Sequence, residues 1–104
     1  MPQIEIAGKT VDVDDEGFMT EPQQWNEEIA RVMAAELDIT LTERHFIVLS
    51  YMRKEFEKNG EAPSLRRLKN ESGVGTKEIY ALFPKGPAKK AARIAGLGKP
   101  EGCI

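Results

Sequence analysis

The sequence contains one cysteine and one histidine among its 104 residues. A single cysteine rules out an internal disulfide bond and is consistent with a reducing compartment. One histidine and one cysteine that lie far apart in the sequence also give no convincing metal site. We therefore expect neither a metal nor a cofactor, and we expect the protein to work in the cytoplasm.

Long apolar runs are missing as well. No stretch approaches the roughly 20 residues needed to cross a bilayer, and residues 1–12 lack the basic and apolar regions of a signal peptide. The sequence has no phosphate-binding glycine loop and no serine elbow. With 40% hydrophobic and 31% charged residues, the composition is typical of a soluble globular protein, and the length predicts one small domain.

Charge is unevenly distributed along the chain. Residues 1–62 carry fourteen acids and six bases, a net charge of −8, whereas residues 63–104 carry three acids and nine bases, a net charge of +6. Two interpretations stay open. The halves form two solvated faces of one domain, or the basic half faces an anionic partner or stabilises a thiolate.

The N-terminal part alternates apolar and polar residues. Residues 4–6 and 10–13 flank Ala7-Gly8-Lys9 and predict a β-hairpin. A turn is expected at residues 14–17, and Phe18-Met19 is a candidate third strand. Because a lone hairpin is marginal in water, this one must pack on helices.

Two long helices are predicted next. Thr20 and Gln23 resemble a capping box that opens a helix running to about Leu37. Its buried stripe is expected to comprise Trp25, Ile29, Val32, Met33 and Leu37. Thr42 is predicted to cap a second helix that ends at Asn59-Gly60 and forms the centre of the core. His45 falls on its apolar arc and is predicted to be a satisfied, partly buried histidine and not a catalytic base.

Two short helices follow, from Ser64 to about Glu71 and from a Thr76 cap to Phe83. Together they have the outline of a helix-turn-helix, so a DNA-binding regulator stays an alternative. The second of them offers only Lys77 as a base, and Glu78 beside it would repel phosphate. Direct binding of nucleic acid is therefore not expected.

A fifth helix is predicted from Pro87 to Gly96, with an all-alanine stripe that allows close packing. The stripe consists of Ala88, Ala91, Ala92 and Ala95. Gly98, Pro100 and Gly102 then disfavour regular structure. We predict one globular α+β domain over residues 1–97, with a small hairpin or meander packed on about five helices, and a flexible arm over residues 98–104.

Cys103 is the penultimate residue and the candidate reactive group. A reachable thiol is nucleophilic and can hold a second sulfur as a persulfide. A set of bases with no acid between them precedes it, and nearby cations favour a thiolate. The supporting residues are Arg93, Lys99, Lys85 and Lys90, whereas Lys89 is assigned to a solvated helix face.

The stretch LFPKGPAKKAARIAGLGKPEGCI, residues 82–104, resembles the C-terminal signature of the TusE/DsrC sulfur-relay family. That signature reads LFP-x-GPAK-x-A-x-[RK]-IAGLPKP-x-x-C followed by an apolar residue. The family includes the gamma subunit associated with dissimilatory sulfite reductase. The resemblance implies an α+β fold, a Cys103 that accepts persulfide sulfur and passes it on, and an Arg93 that matches the basic residue of the last helix.

Three departures from the family pattern refine this expectation. Ala92 stands where two-cysteine members carry their second cysteine, so their intramolecular disulfide cannot form and the chain resembles the TusE side. Gly98 replaces a proline, which predicts a looser arm. The segment 66–82 is shorter than in typical members, and partner contacts are expected to differ there.

The resemblance therefore implies a sulfur carrier with little turnover alone. Its partners would be an upstream sulfur-carrier protein and a downstream acceptor enzyme, either a tRNA thiolase that modifies the wobble uridine or a sulfite-reductase-type complex. The chief alternative is a single-cysteine protein of dissimilatory sulfite or sulfur metabolism.

Overall fold

The structure is a computed structural model that describes residues 2–99. Cys103 and the other residues after Lys99 lie outside this range. The described part consists of an antiparallel hairpin, a 3-10 turn and five α-helices, which confirms the predicted α+β class. The elements are β1 (Gln3–Ile6), β2 (Lys9–Asp12), the 3-10 turn (Pro22–Gln24), α1 (Glu27–Glu36), α2 (Glu43–Asn59), α3 (Leu65–Glu71), α4 (Thr76–Leu82) and α5 (Pro87–Ile94).

The hairpin pairs Ile4 with Val11, and its turn is shorter than predicted. Ala7 and Gly8 alone form the turn, with φ angles of 51° and 76°. Positive φ at both central residues is the pattern of a type I′ turn, whose twist suits a two-residue hairpin. The candidate third strand reduces to a single bridge between Val13 and Met19.

The first predicted helix is broken at Trp25. This residue is extended, with φ −72° and ψ 146°, and α1 begins only after Asn26, whose Oδ1 accepts a hydrogen bond from the Ile29 N–H at 2.9 Å. The predicted capping box is therefore wrong. The buried Thr20 Oγ1 has no hydrogen-bond partner among the described residues. Val32, predicted to be buried, is 37% exposed.

The bounds of the next helices follow local signals closely. α2 ends at Gly60, which takes the left-handed conformation with φ 77° as predicted. Ser64 caps α3, and its Oγ accepts a hydrogen bond from the Arg67 N–H at 3.3 Å. The prediction for α4 was wrong by one residue, because Gly75 is the cap and Thr76 is the first helical residue.

His45 has the structural role that its position predicted. It is 6% exposed, and its Nδ1 accepts a hydrogen bond from the Thr42 N–H at 3.0 Å. Nε2 lies 3.0 Å from the Leu82 carbonyl oxygen, to which it donates in this tautomer. Both ring nitrogens are thus satisfied by backbone groups.

The centre of the bundle is α5 and not α2. Each of the helices α1 to α4 packs against α5. The predicted alanine stripe explains this position, because small side chains let neighbouring helices approach closely from several sides. Its four alanines are all at most 1% exposed, and Ile94 and Leu97 complete the buried face. α2 lies to one side of α5 and leaves Ile47 exposed.

Candidate functional site

The C-terminal end of α5 is the point at which the chain leaves the core. Gly96 has φ 76°, its N–H donates to the Arg93 carbonyl at 3.2 Å, and the Leu97 N–H donates to the Ala92 carbonyl at 2.9 Å. These two bonds form a Schellman motif, which satisfies two of the last carbonyls of the helix. The Leu97 side chain is fully buried, so the core extends to this residue.

Two side chains from the first half of the chain satisfy the next two carbonyls. The Trp25 indole N–H donates to the Ile94 carbonyl at 2.8 Å. Nη1 of Arg53 donates to the Ala95 carbonyl at 2.7 Å, and its Nη2 donates to the Pro22 carbonyl at 3.1 Å. The end of α5 is thereby tied both to α2 and to the 3-10 turn.

These side chains also pack against one another and against the backbone of α5. Cζ of Arg53 lies 4.3 Å from the centre of the Trp25 ring, within the range of a cation–π contact. A Cβ at Gly96 would lie 2.5 Å from Cδ1 of Trp25, so only glycine fits there. Burial lowers the pKa of Arg53. We call Trp25, Arg53 and Gly96 the exit clamp.

A second anchor lies two residues beyond Leu97. Nζ of Lys99 contacts both carboxylate oxygens of Glu16, at 3.1 and 3.3 Å. Glu16 belongs to the turn after β2, whose conformation is fixed by Oδ1 of Asp14, which accepts hydrogen bonds from the Glu16 and Phe18 N–H groups. The last described residue is therefore held against the N-terminal turn.

A cleft of about 280 Å³ lies beside this anchor. Its lining combines cations with two apolar side chains and one carboxylate. The lining residues are Glu16, Phe18, Leu37, Lys85, Gly86, Lys89, Lys90 and Arg93. The structure thus brings three of the predicted basic residues together, and the fourth, Lys99, reaches the same cleft through Glu16.

Arg93 is one of two partly buried cations at the cleft. Its Nη2 lies 4.0 Å from Oε1 of Glu36, and its Nε is buried without a hydrogen-bond partner in residues 2–99. The guanidinium covers Gly17, where a Cβ would lie 3.0 Å from Nη2. Gly17, in the turn after β2, therefore leaves room for the Arg93 side chain.

Lys85 is positioned by an unusual backbone conformation. It has φ 57°, a left-handed conformation that residues other than glycine and asparagine rarely adopt. Gly86 follows with φ 91° and caps α5. Two consecutive left-handed residues turn the chain sharply between α4 and α5 and place Lys85 at the cleft.

Sequence reasoning missed the exit clamp and the non-basic lining of the cleft. One signal was available for Arg53, which lies at helical spacing between Leu49 and Phe56 on the apolar arc of α2. A charge at such a position predicts a buried partner. No local signal linked Glu16 to Lys99, because they are separated by 83 residues.

Within residues 2–99, no three histidine, aspartate or glutamate side chains are grouped as possible metal ligands. Over the same range, no helix is long and apolar enough to span a membrane.

A family model described as "DsrC like protein" matches residues 5–104. The chain therefore belongs to the DsrC-like family, as its C-terminal signature predicted.

Its relatives carry two kinds of name. The sulfurtransferase TusE of Yersinia pestis is 37% identical over 108 aligned positions, which cover 97% of this chain and 99% of the relative. The dissimilatory-type sulfite reductase gamma subunit of Nitratidesulfovibrio vulgaris is 35% identical, with full coverage of both chains. The NMR structure of Allochromatium vinosum DsrC superimposes with a TM-score of 0.84 at 38% identity, covering 98% of this chain and 97% of that one.

Proposed function

We propose that this protein is a sulfur carrier that accepts sulfane sulfur on Cys103 and passes it to an acceptor enzyme. The observation that carries the proposal is the family match, which extends through the cysteine-bearing end of the chain to residue 104. TusE sulfurtransferases and DsrC proteins both match along nearly their whole length. A carrier of this kind needs a reachable thiol and a partner, and would show little turnover alone.

The proposed transfer is a balanced exchange between a thiolate and a persulfide. The Cys103 thiolate attacks the terminal sulfur of a protein persulfide, and a new sulfur–sulfur bond forms as the bond in the donor breaks. The donor sulfur leaves as a thiolate, and the transferred sulfur keeps its proton. No external oxidant is consumed.

The basic cleft supports a role for the predicted cations in this step. Cys103 lies four residues beyond Lys99, a separation that spans at most about 14 Å in an extended chain. The cleft is adjacent to Lys99, so Lys85, Lys90 and Arg93 are within reach of the arm. We propose that these cations favour the thiolate of Cys103 and the anionic persulfide.

The carrier function is tested by loading the protein with a small persulfide donor, cysteine persulfide, and measuring the intact mass. We expect one added sulfur in the natural protein, removed again by dithiothreitol. The Cys103→Ser variant should take up none, because the chain has no other thiol. An adduct that persists in the serine variant would overturn the proposal.

The role of the cations is tested by the rate at which Cys103 reacts with iodoacetamide at neutral pH. The double variant Lys85→Met and Lys90→Met should react more slowly, because a smaller fraction of the thiol is ionised. The matched control is Lys54→Met with Lys77→Met, which removes the same charge from exposed positions outside the cleft. Equal slowing in both pairs would show a general charge effect.

We further propose that the acceptor belongs to tRNA wobble-uridine 2-thiolation and that the protein acts in the cytoplasm. The single cysteine supports this choice over a role in dissimilatory sulfur metabolism, since the family resemblance places the second cysteine of two-cysteine members at the position of Ala92. Affinity capture with the persulfidated protein tests the choice. Recovery of a tRNA thiolase is expected, and recovery of a sulfite reductase instead would favour the alternative.

A further inference from the structure

The exit clamp holds the stretch of backbone from which the cysteine-bearing residues depart. Water could satisfy the last carbonyls of a helix at the protein surface. Here, however, the carbonyls of Ile94 and Ala95 are bound by two large side chains that lie far away in the sequence. The clamp therefore does more than complete the hydrogen bonds of a helix end, since it fixes that end relative to α2 and the 3-10 turn.

The geometry leaves little freedom before residue 98. The Gly96 backbone lies against the Trp25 ring, and the Leu97 side chain is fully buried. At Gly98 the contacts of the clamp end, because apart from the two chain neighbours no atom of residues 2–99 comes within 4 Å of the position that a Cβ would take. The exit clamp therefore holds the backbone as far as Leu97, and the Lys99–Glu16 pair makes the next contact described for the segment.

We propose that Trp25 and Arg53 are positioning residues for Cys103, because they fix the origin and direction of the segment that carries the thiol. The proposal rests on the carrier function above for its purpose, since a carrier must present its sulfur to a partner at a defined place on its surface. Neither side chain takes part in the chemistry of the thiol.

Arg53 is the residue through which the proposal is best tested. Its guanidinium joins three parts of the protein, namely the Trp25 ring, the Ala95 carbonyl and the Pro22 carbonyl. Replacement by methionine keeps much of the aliphatic stem and removes all three contacts. Replacement by lysine keeps the charge but provides no planar fork for two separate carbonyls.

The experiment measures where the arm lies in the full-length protein. Nitroxide labels are attached to Cys103 and to a second cysteine introduced as Ser50→Cys on the exposed face of α2, and pulsed electron paramagnetic resonance gives the distribution of distances between them. For Arg53→Met we expect a shifted distribution, broader by at least about twofold. Arg53→Lys should lie between that variant and the parent protein. Trp25→Phe keeps a ring against Gly96 and loses only the bond to Ile94, so a smaller change is expected.

The matched control is Arg44→Met. Arg44 lies on the same helix, and its guanidinium also makes two hydrogen bonds, both at 2.8 Å to Glu78. The control removes the same charge and leaves the exit clamp intact, so its distance distribution should match the parent. Circular dichroism verifies that each variant is folded. The rate at which the single cysteine of each unlabelled variant reacts with iodoacetamide should change by less than about twofold.

The proposal is overturned if folded Arg53→Met gives the parental distribution, or if Arg44→Met broadens it equally. If Arg53→Met does not fold, Arg53→Lys decides, and an unchanged distribution in that variant overturns the proposal. Because the distances are measured without any persulfide, failure of persulfide loading would contradict the carrier function and leave this result standing.

Discussion

The two ends of α5 differ in almost every respect. At its C-terminal end the last carbonyls are all hydrogen-bonded, two of them by Trp25 and Arg53. At its N-terminal end the chain enters through Lys85 and Gly86, both left-handed, and displays lysines around an open cleft. The C-terminal end is therefore tied to distant parts of the chain, whereas the turn at the N-terminal end brings Lys85 to the cleft.

The difference shows how a short helix serves as both a structural centre and a functional surface. The alanine stripe buries one face of α5 against the other four helices. The charged residues Lys89, Lys90 and Arg93 lie off that stripe and face the cleft. Because the two faces are separated by helical periodicity, a change at the cleft should leave the core intact, and a change at the exit clamp should not.

The largest effect is expected from Gly96→Ala. The added methyl would lie within van der Waals overlap of Trp25 and would hold a non-glycine residue at φ 76°. Left-handed strain and overpacking together should lower the free energy of unfolding by up to about 5 kcal/mol. Denaturant unfolding measures the loss.

The control for this change is Gly98→Ala, two residues along the chain. A Cβ at Gly98 meets no described atom within 4 Å, and its φ is not in the left-handed region. Its free energy of unfolding should stay within about 0.5 kcal/mol of the parent. Equal losses at both glycines would contradict the assignment of the exit clamp.

Truncation locates the end of the stable domain. Removing residues 98–104 eliminates the exposed Lys99–Glu16 pair and no buried apolar side chain of the described structure, so the loss should be about 1 kcal/mol or less. Removing residues 97–104 also deletes the buried Leu97 side chain and should cost about 3 kcal/mol. Both truncations should abolish sulfur transfer. Equal stability of the two truncated proteins would show that the stable domain ends before residue 97.

Lys85→Gly should change the free energy of unfolding in the opposite direction and by a smaller amount. Glycine takes the left-handed conformation without strain, so the free energy of unfolding should stay the same or rise by up to about 1 kcal/mol. The reaction of Cys103 with iodoacetamide should slow, because a cation leaves the cleft. A clear loss of stability would show that the Lys85 side chain contributes packing that outweighs its strain.

Part of the loss of stability in acid should come from the Arg44–Glu78 pair, which joins α2 and α4 and lies away from both ends of α5. The hydrogen bonds from Arg44 lower the pKa of Glu78 below its ordinary value of 4.5. A depressed carboxyl pKa contributes stability above the unfolded value, which is lost as the pH falls from about 4.5 through the folded value. Glu78→Gln should therefore reduce the slope of unfolding free energy against pH between about 3 and 5. An unchanged slope would show that the pair contributes nothing measurable.

Local sequence signals predicted those parts of the fold that depend on neighbouring residues. Gly60 and Ser64 gave the bounds of α2 and α3, and Pro87 gave the start of α5, because each acts through its own backbone geometry. The start of α1 was missed because Trp25 makes its decisive hydrogen bond with Ile94, 69 residues away. That tertiary contact outweighs the local preference for a helix at Thr20.

The residues of the candidate site likewise divide into those that local sequence signals predicted and those that they missed. The basic residues were found because they follow one another in the last helix and its flanks. Glu16 and Arg53 were missed because only the folded chain brings them to α5, where they bind Lys99 and the Ala95 carbonyl. The position of α5 at the centre was hidden by its short length and its charge, whereas the longer α2 offered more apolar residues.

The central place of α5 also has a consequence for the order in which the protein is made. Synthesis proceeds from the N-terminus, so helices α1 to α4 leave the ribosome before α5, the helix on which all four pack. Until Leu97 emerges, the apolar faces that α5 covers have no partner within the nascent chain. We therefore infer that this domain folds in a single late step, and that a chain interrupted before α5 exposes surfaces prone to aggregation.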